Sequence, residues 1–385
     1  MPHCARVLLA AVIPLLFFGP IRPIHAQDAV STPTFDALAE APPPLYEAVV
    51  TDVLAERQSA IAGQRQLYQQ LGVRFTTGPL AGRTAVIESG ALAEVNMPRY
   101  AAGDEVVVAV SLDAEGREVY NIADSVRRRP LVLLFLGFVA LTVVVGRKRG
   151  VASLVGMALS FVIIFRFLLP QVMAGRNPIL VAIGAALVII PLTFYLAHGL
   201  NRKTTAAIIG TLIALVVTSV LAEVSISAAK LTGFSSEEAA FLPTAGPGAI
   251  DIQGLLLAGI IIGLLGILDD ITVSQAAIVY QLGEAASHLG PAEVYRRAMD
   301  VGRDHIASLV NTLILVYASS ALPLLLLFTG DALPFRQAVN TEVVAAAVVQ
   351  TLVASIGLIL AVPITTAVTC ALWARERRRD AATRT

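Results

Sequence analysis

The chain has 385 residues, 56% hydrophobic and 15% charged, against about 25% charged in an average soluble domain. Its mean hydropathy of +0.75 excludes a single water-soluble globule. Its 28 Lys and Arg balance 28 Asp and Glu, so no basic surface calls for a nucleic-acid partner. The two cysteines, Cys4 and Cys370, make neither a disulfide framework nor a Cys-based zinc site.

Residues 1–26 read as an export signal. Arg6 supplies a positive start, and Val7 to Phe18 is an unbroken apolar run. That run is too short to span a hydrocarbon core of about 30 Å. Cleavage after Ala26 and retention as a signal anchor both remain open, because Ile24 is larger than the residue usually found before a cleavage site. Either way, the chain beyond the signal is exported. Residues 27–44, with Pro33, Pro42, Pro43 and Pro44, read as a linker.

Residues 45–126 have a soluble composition and a strand-and-turn pattern. Strands are predicted from Tyr46 to Thr51, Gln66 to Thr76, Arg83 to Glu88, Glu105 to Val110 and Glu118 to Ile122. Gly78-Pro79, Gly82, Gly90, Gly103-Asp104 and Glu115-Gly116 separate them. Several short strands in a small domain favour closure, which removes sheet edges. The expectation is an extracytoplasmic, OB-like β-barrel that serves as a structural or docking module.

Residues 127–376 are expected to form a multi-pass helical membrane domain with about seven spans. These run roughly 130–146, 151–170, 179–198, 204–224, 252–270, 306–329 and 343–373. Gly259 and Gly263 form a GxxxG pair of the kind that packs helices closely. Ser235 and Glu238 have capping-box spacing, and Pro291 suits the first position of a helix. With the N-terminal domain outside, inner loops and tail carry 13 Lys and Arg, against six in the outer connections counted with Arg127, Arg128 and Arg129. The positive-inside rule therefore places the tail, residues 377–385, in the cytoplasm of a cell-membrane protein.

The most informative stretch is GILDDITVSQ, where Asp269 and Asp270 end the predicted fifth span. Carboxylates within a membrane are expensive and mark ion or substrate paths. Together with Thr272, Ser274 and Gln275 they supply oxygens for a cation or a proton relay. Alternating span direction brings polar residues of other helices to the same side. His305, Asn311 and Thr312 start the sixth span, and Thr365 and Thr366 end the seventh beside Pro363. One inward-facing polar vestibule is the expected result.

The order of these features resembles the YibE/F-like family of bacterial multi-pass membrane proteins. The resemblance rests on GLLLAGIIIGLLGILDDITVSQ, RRAMDVGRDHIASLVNTLILVYASSALPLLLLF and TEVVAAAVVQTLVASIGLILAVPITT. It rests also on YEAVVTDVL, AGDEVVV and YNIADSVRRRP ahead of the first span. It implies architecture and no particular chemistry.

The chain carries no HExxH, GxSxG or Walker A motif, so an enzyme is not expected, nor a cofactor. The metal is left open. The leading expectation is a transporter or permease with an acidic cation- or proton-coupling site. The alternative is a non-transporting scaffold or sensor whose outer domain binds envelope partners. The expected partners are the lipid bilayer, a small ion or solute, and a second copy of the chain.

Overall fold

The computed structural model describes residues 43–61, 64–90, 98–113, 115–242, 250–286, 288–329 and 334–382. The predicted signal and nearly all of the linker lie outside the described residues. The chain divides into two compact units, with the boundary between Ala140 and Leu141.

The first unit holds one five-stranded sheet. Its strands are β1 (Leu45–Ile61), β2 (Gln64–Phe75), β3 (Thr84–Ser89), β4 (Glu105–Leu112) and β5 (Glu118–Ser125). All five predicted strands are present, and β1 runs well beyond its predicted end. The order is β3-β2-β1-β4-β5, with antiparallel pairing at each step. Period-two alternation builds the core. Ala48 and Val50, Leu71 and Val73, Ile87, and Val106 and Val108 all turn inward and are buried together.

Register shifts between Val50 and Asp52, and again between Val53 and Ala55, bend the long β1. The sheet curls until the Phe75 and Tyr120 rings lie 5.4 Å apart. Arg83 on the β3 side reaches Glu118 on β5 at 3.8 Å. Among the described residues no ladder joins β3 to β5, so the expected closed barrel is a half-barrel. The β4–β5 turn is held by Asp113, which accepts from the backbone N–H groups of Arg117 and Glu115. Those bonds, led by the Arg117 N–H, hold the Asp113 carboxyl below its ordinary value.

Arg127, Arg128 and Arg129 had opposed the positive-inside count. Each is ion-paired within this unit, with Asp124, Glu47 and Glu105 respectively.

The second unit is helical. Its elements are α1 (Arg128–Ile163, beginning in the first unit), a π-turn (Ile164–Leu168), α2 (Leu169–Met173), α3 (Pro178–His198), α4 (Arg202–Ala228) and α5 (Glu237–Phe241). Then come α6 (Ile252–Ala285), α7 (Pro291–Ser320), α8 (Leu322–Thr329), α9 (Phe335–Ala338) and α10 (Glu342–Ala382). Among the described residues, five stretches are long and apolar enough to cross a membrane: Arg128–Met173, Pro178–His198, Arg202–Ala228, Ile252–Ala285 and Glu342–Arg379.

Two departures from the predicted spans have local causes. Arg147 (φ 50, ψ −132) breaks α1. Gly150 consequently lies against the Thr142 carbonyl, although a straight helix would hold them about 12 Å apart. The predicted sixth span is interrupted at Ala321, the residue between α7 and α8. Pro323 explains the break, because it has no N–H and its ring would clash with the Ser319 carbonyl.

The helix starts follow their caps. Pro291 is the first residue of α7, as predicted. The α5 cap is Ser236, one residue after the predicted Ser235, and its hydroxyl accepts from the Ala239 N–H at 3.2 Å. Asn201 caps α4 by accepting from the Thr204 N–H at 2.8 Å.

Helices α4, α6 and α10 pack as the centre of this unit. Small residues set the closest approach of α4 to α10. A Cβ at Gly210 would fall 2.5 Å from Thr365 Oγ1, and one at Gly357 would fall 2.5 Å from Thr218 Cγ2. The predicted Gly259–Gly263 contact is not made among the described residues, where nothing lies within 4 Å of a Cβ at either position.

Candidate functional site

The predicted fifth span was expected to stop at Asp269 and Asp270. Instead α6 continues to Ala285. The segment after the acids contains no helix breaker, and Ile271, Thr272, Gln275, Ala276 and Val279 repeat a buried face at helical spacing. The acids therefore sit near the helix midpoint, about 25 Å from either end. Toward the C-terminal ends of α6 and α10, the Tyr280 hydroxyl donates to Glu376 at 3.1 Å and Arg202 lies 3.5 Å from the same carboxylate. Asp269 is eleven residues before that collar, about 16 Å along the helix.

The single vestibule expected from the sequence resolves into two separate places. The first is a cavity of about 360 Å³ between the second half of α1, α3 and α6. Its walls are mostly apolar, with Met157, Phe161, Phe194 and Leu265 among them. Asp269 is its one carboxylate, and among the described residues no cation pairs with it. Asp270, the next residue, points about 100° away on the helix and is exposed.

Ser153, Ser160 and Thr193 line this cavity with Asp269, and the last two spend their protons on backbone. Ser160 Oγ donates to the Gly156 carbonyl at 3.0 Å, and Thr193 Oγ1 donates to the Ile189 carbonyl at 2.9 Å. Their protons are thus committed to backbone, and their lone pairs remain for the cavity. The wall also carries two local irregularities. The π-turn starts at Ile164, a lining residue, and Pro191 interrupts the α3 ladder beside Ile190.

The second place is a buried polar knot where α4, α6, α7 and α10 meet. Thr272 Oγ1 and Thr211 Oγ1 are 2.6 Å apart. Gln275 Nε2 donates to Thr366 Oγ1 at 2.8 Å and to the Ala298 carbonyl at 2.9 Å. Gly302 permits this approach, since a Cβ there would fall 2.6 Å from Val362 Cγ1 and 3.1 Å from the Gln275 amide. Gln275 Oε1, Thr365 Oγ1 and Thr369 Oγ1 are buried with no hydrogen-bond partner among the described residues.

The remaining predicted residues do not join either place. Ser274 and His305 are half-buried, and Asn311 and Thr312 are exposed. Thr312 instead donates to the Ser308 carbonyl of its own helix. Among the described residues no three His, Cys, Asp or Glu side chains gather as metal ligands.

Sequence reasoning did not find Ser153, Ser160, Thr193 or Thr211. A signal existed for part of this set. Ser153, Gly156, Met157 and Ser160 recur at helical spacing on one face of an otherwise bulky apolar span.

A family model described as YibE/F-like protein matches residues 134–375. The match covers the helical region and agrees with the resemblance carried by the GILDDITVSQ stretch. No curated protein and no solved structure matches the chain.

Proposed function

The chain belongs to the YibE/F-like family, and on that premise we propose that it is a membrane permease in which Asp269 couples movement to a proton or a monovalent cation. The observation that carries the reading is an unpaired carboxylate on the wall of an apolar cavity, halfway along a 34-residue helix. A charge there is costly unless it binds a proton or a cation. One carboxylate with neighbouring hydroxyl lone pairs matches a proton or a singly charged ion better than a hard divalent cation, which takes six to eight oxygens as calcium or an octahedral shell as magnesium.

In the same reading the chain crosses the cell membrane seven times. The break at Arg147 divides the first apolar stretch into two crossings, and α7 with α8 supplies another. The sheet unit lies outside and the C-terminus in the cytoplasm. The pairing of Arg127, Arg128 and Arg129 with sheet carboxylates supports this orientation, because it neutralises the outer residues that oppose the positive-inside rule.

The test is ion flux in liposomes holding the full-length protein, read by an internal pH-sensitive dye and by isotopic sodium. Asp269→Asn should abolish coupled flux while membrane insertion stays intact. Asp270→Asn should leave flux near the parental rate, because Asp270 is exposed on another face. A double Asn variant as fast as the parent would overturn the proposal.

A further inference from the structure

We infer that the Asp269 cavity binds a small organic cation, an ammonium carried on an apolar body about the size of one aromatic ring. The inference rests on the same carboxylate as the coupling role above and adds the chemical class of its occupant.

Four features of the cavity point to this class. Its volume of about 360 Å³ lies within the range of small-molecule sites and is too small for a two-chain lipid. Its surface is mostly hydrocarbon, which rewards an apolar body. Phe161 and Phe194 present aromatic rings, which attract a desolvated cation. Most of its polar side chains turn acceptors toward the interior. Among the described residues Asp269 carries no cation partner, and the Ser160 and Thr193 hydroxyl protons are already donated to backbone carbonyls. An ammonium donor completes that set, whereas an anion would meet the Asp269 charge and, apart from the exposed Ser153 hydroxyl, only lone pairs.

The position of Gly266 supplies a way to crowd the rim of the cavity. It is an exposed lining residue, and among the described residues nothing lies within 4 Å of a Cβ built there. A larger side chain at this position therefore enters open space without striking backbone.

The experiment is equilibrium binding of radiolabelled benzyltrimethylammonium to the purified full-length protein, in detergent free of amine-bearing lipids. Phenylacetate and benzyl alcohol serve as the anionic and neutral comparisons. The cation should bind saturably and the other two should not compete. Asp269→Asn should weaken binding at least about tenfold, through loss of the charge-assisted contact. Gly266→Leu, which crowds the rim, should weaken binding with the helical circular-dichroism signal unchanged. Restoring phosphatidylethanolamine should not displace the probe, whereas competition by that lipid would assign the site to its headgroup and overturn the small-cation reading.

Equal affinity for the cation and phenylacetate, or full binding by Asp269→Asn, would also overturn it. Binding needs no transport, so the two proposals fail separately. A protein that conducts protons but does not take up the probe removes this inference and leaves the permease. One that binds the probe and moves no ion does the reverse.

Discussion

Gln69 in the sheet unit and Gln275 in the helical unit are both almost completely buried. The Gln69 amide is satisfied at both ends. Its Nε2 donates to the Tyr100 carbonyl at 3.0 Å and to Glu56 at 3.1 Å, and its Oε1 accepts the Tyr100 N–H at 2.9 Å. The Gln275 amide donates twice, to Ala298 and Thr366, but its Oε1 has no partner among the described residues. Gln69 fastens an irregular loop to a strand, and its partners there are loop backbone groups. Gln275 meets carbonyls and hydroxyls that helices already engage. The sheet unit therefore uses a buried amide as a structural rivet, while the helical unit keeps spare acceptors inside.

Substitutions should separate the two roles, and the largest effect is expected in the sheet. Gln69→Leu removes the bonds to the Tyr100 N–H and to the Tyr100 carbonyl, and each unmade buried bond costs roughly 1–3 kcal/mol. Amide hydrogen exchange of β2 and of residues 98–104 in the full-length protein should accelerate by about two orders of magnitude or more. Unchanged protection would break the comparison.

Gly302→Val comes next. Its new methyl groups would meet Val362 and the Gln275 amide, and overpacking of this kind costs about 1–3 kcal/mol. A lowered thermal midpoint with faster exchange in α7 is the expected readout. An unaltered midpoint would show that α7 moves aside without penalty.

Gln275→Leu should cost less, about 1 kcal/mol or below. The Ala298 carbonyl lies inside α7, and the Thr366 hydroxyl donates to the Val362 carbonyl at 2.6 Å, so neither group loses its only contact. A thermal shift as large as that of Gln69→Leu would show the knot to be a rivet as well.

The smallest expected effect is electrostatic. Arg296 and then Arg297, through side-chain hydrogen bonds, pull the Glu293 carboxyl down from the ordinary 4.5 to about 2. A depressed carboxylate contributes stability that is complete above its unfolded value and lost as pH falls through its folded value. The contribution is small, because both arginines are well exposed. The difference in thermal midpoint between the parent and Glu293→Gln should be constant above about pH 5 and vanish toward pH 2. A difference that persists at pH 2 would assign the effect to packing.

How much of this was legible in the sequence varies from element to element. The strands were, because alternation such as Ala48, Val50 and Leu71, Val73 is written residue by residue. The Pro291 start of α7 was, because its missing N–H suits a first turn. The full reach of α6 beyond the predicted fifth span was only partly legible. Two adjacent acids look like a helix terminus in one dimension, yet Ile271, Ala276 and Val279 continue the same buried face beyond them. The Gly259–Gly263 pair was read as a contact because small residues permit close approach. Permission does not supply a neighbour, and among the described residues nothing approaches either glycine.

By itself the sequence determined the two-unit plan, the apolar helices and the identity of the unusual carboxylates. These stem from composition and periodicity, which are local properties. Only the tertiary structure decided which polar residues keep company. Consecutive residues on a helix diverge by about 100°, so Asp269 enters a cavity with Ser160 and Thr193 while Asp270 leaves it. Thr272 and Gln275 turn toward Thr211 and Thr366. Partners such as Thr193 and Thr211 lie some 60 to 75 residues away, and no spacing rule connects them to the acids. Helix packing makes those choices, through the close approaches that Gly210, Gly302 and Gly357 allow.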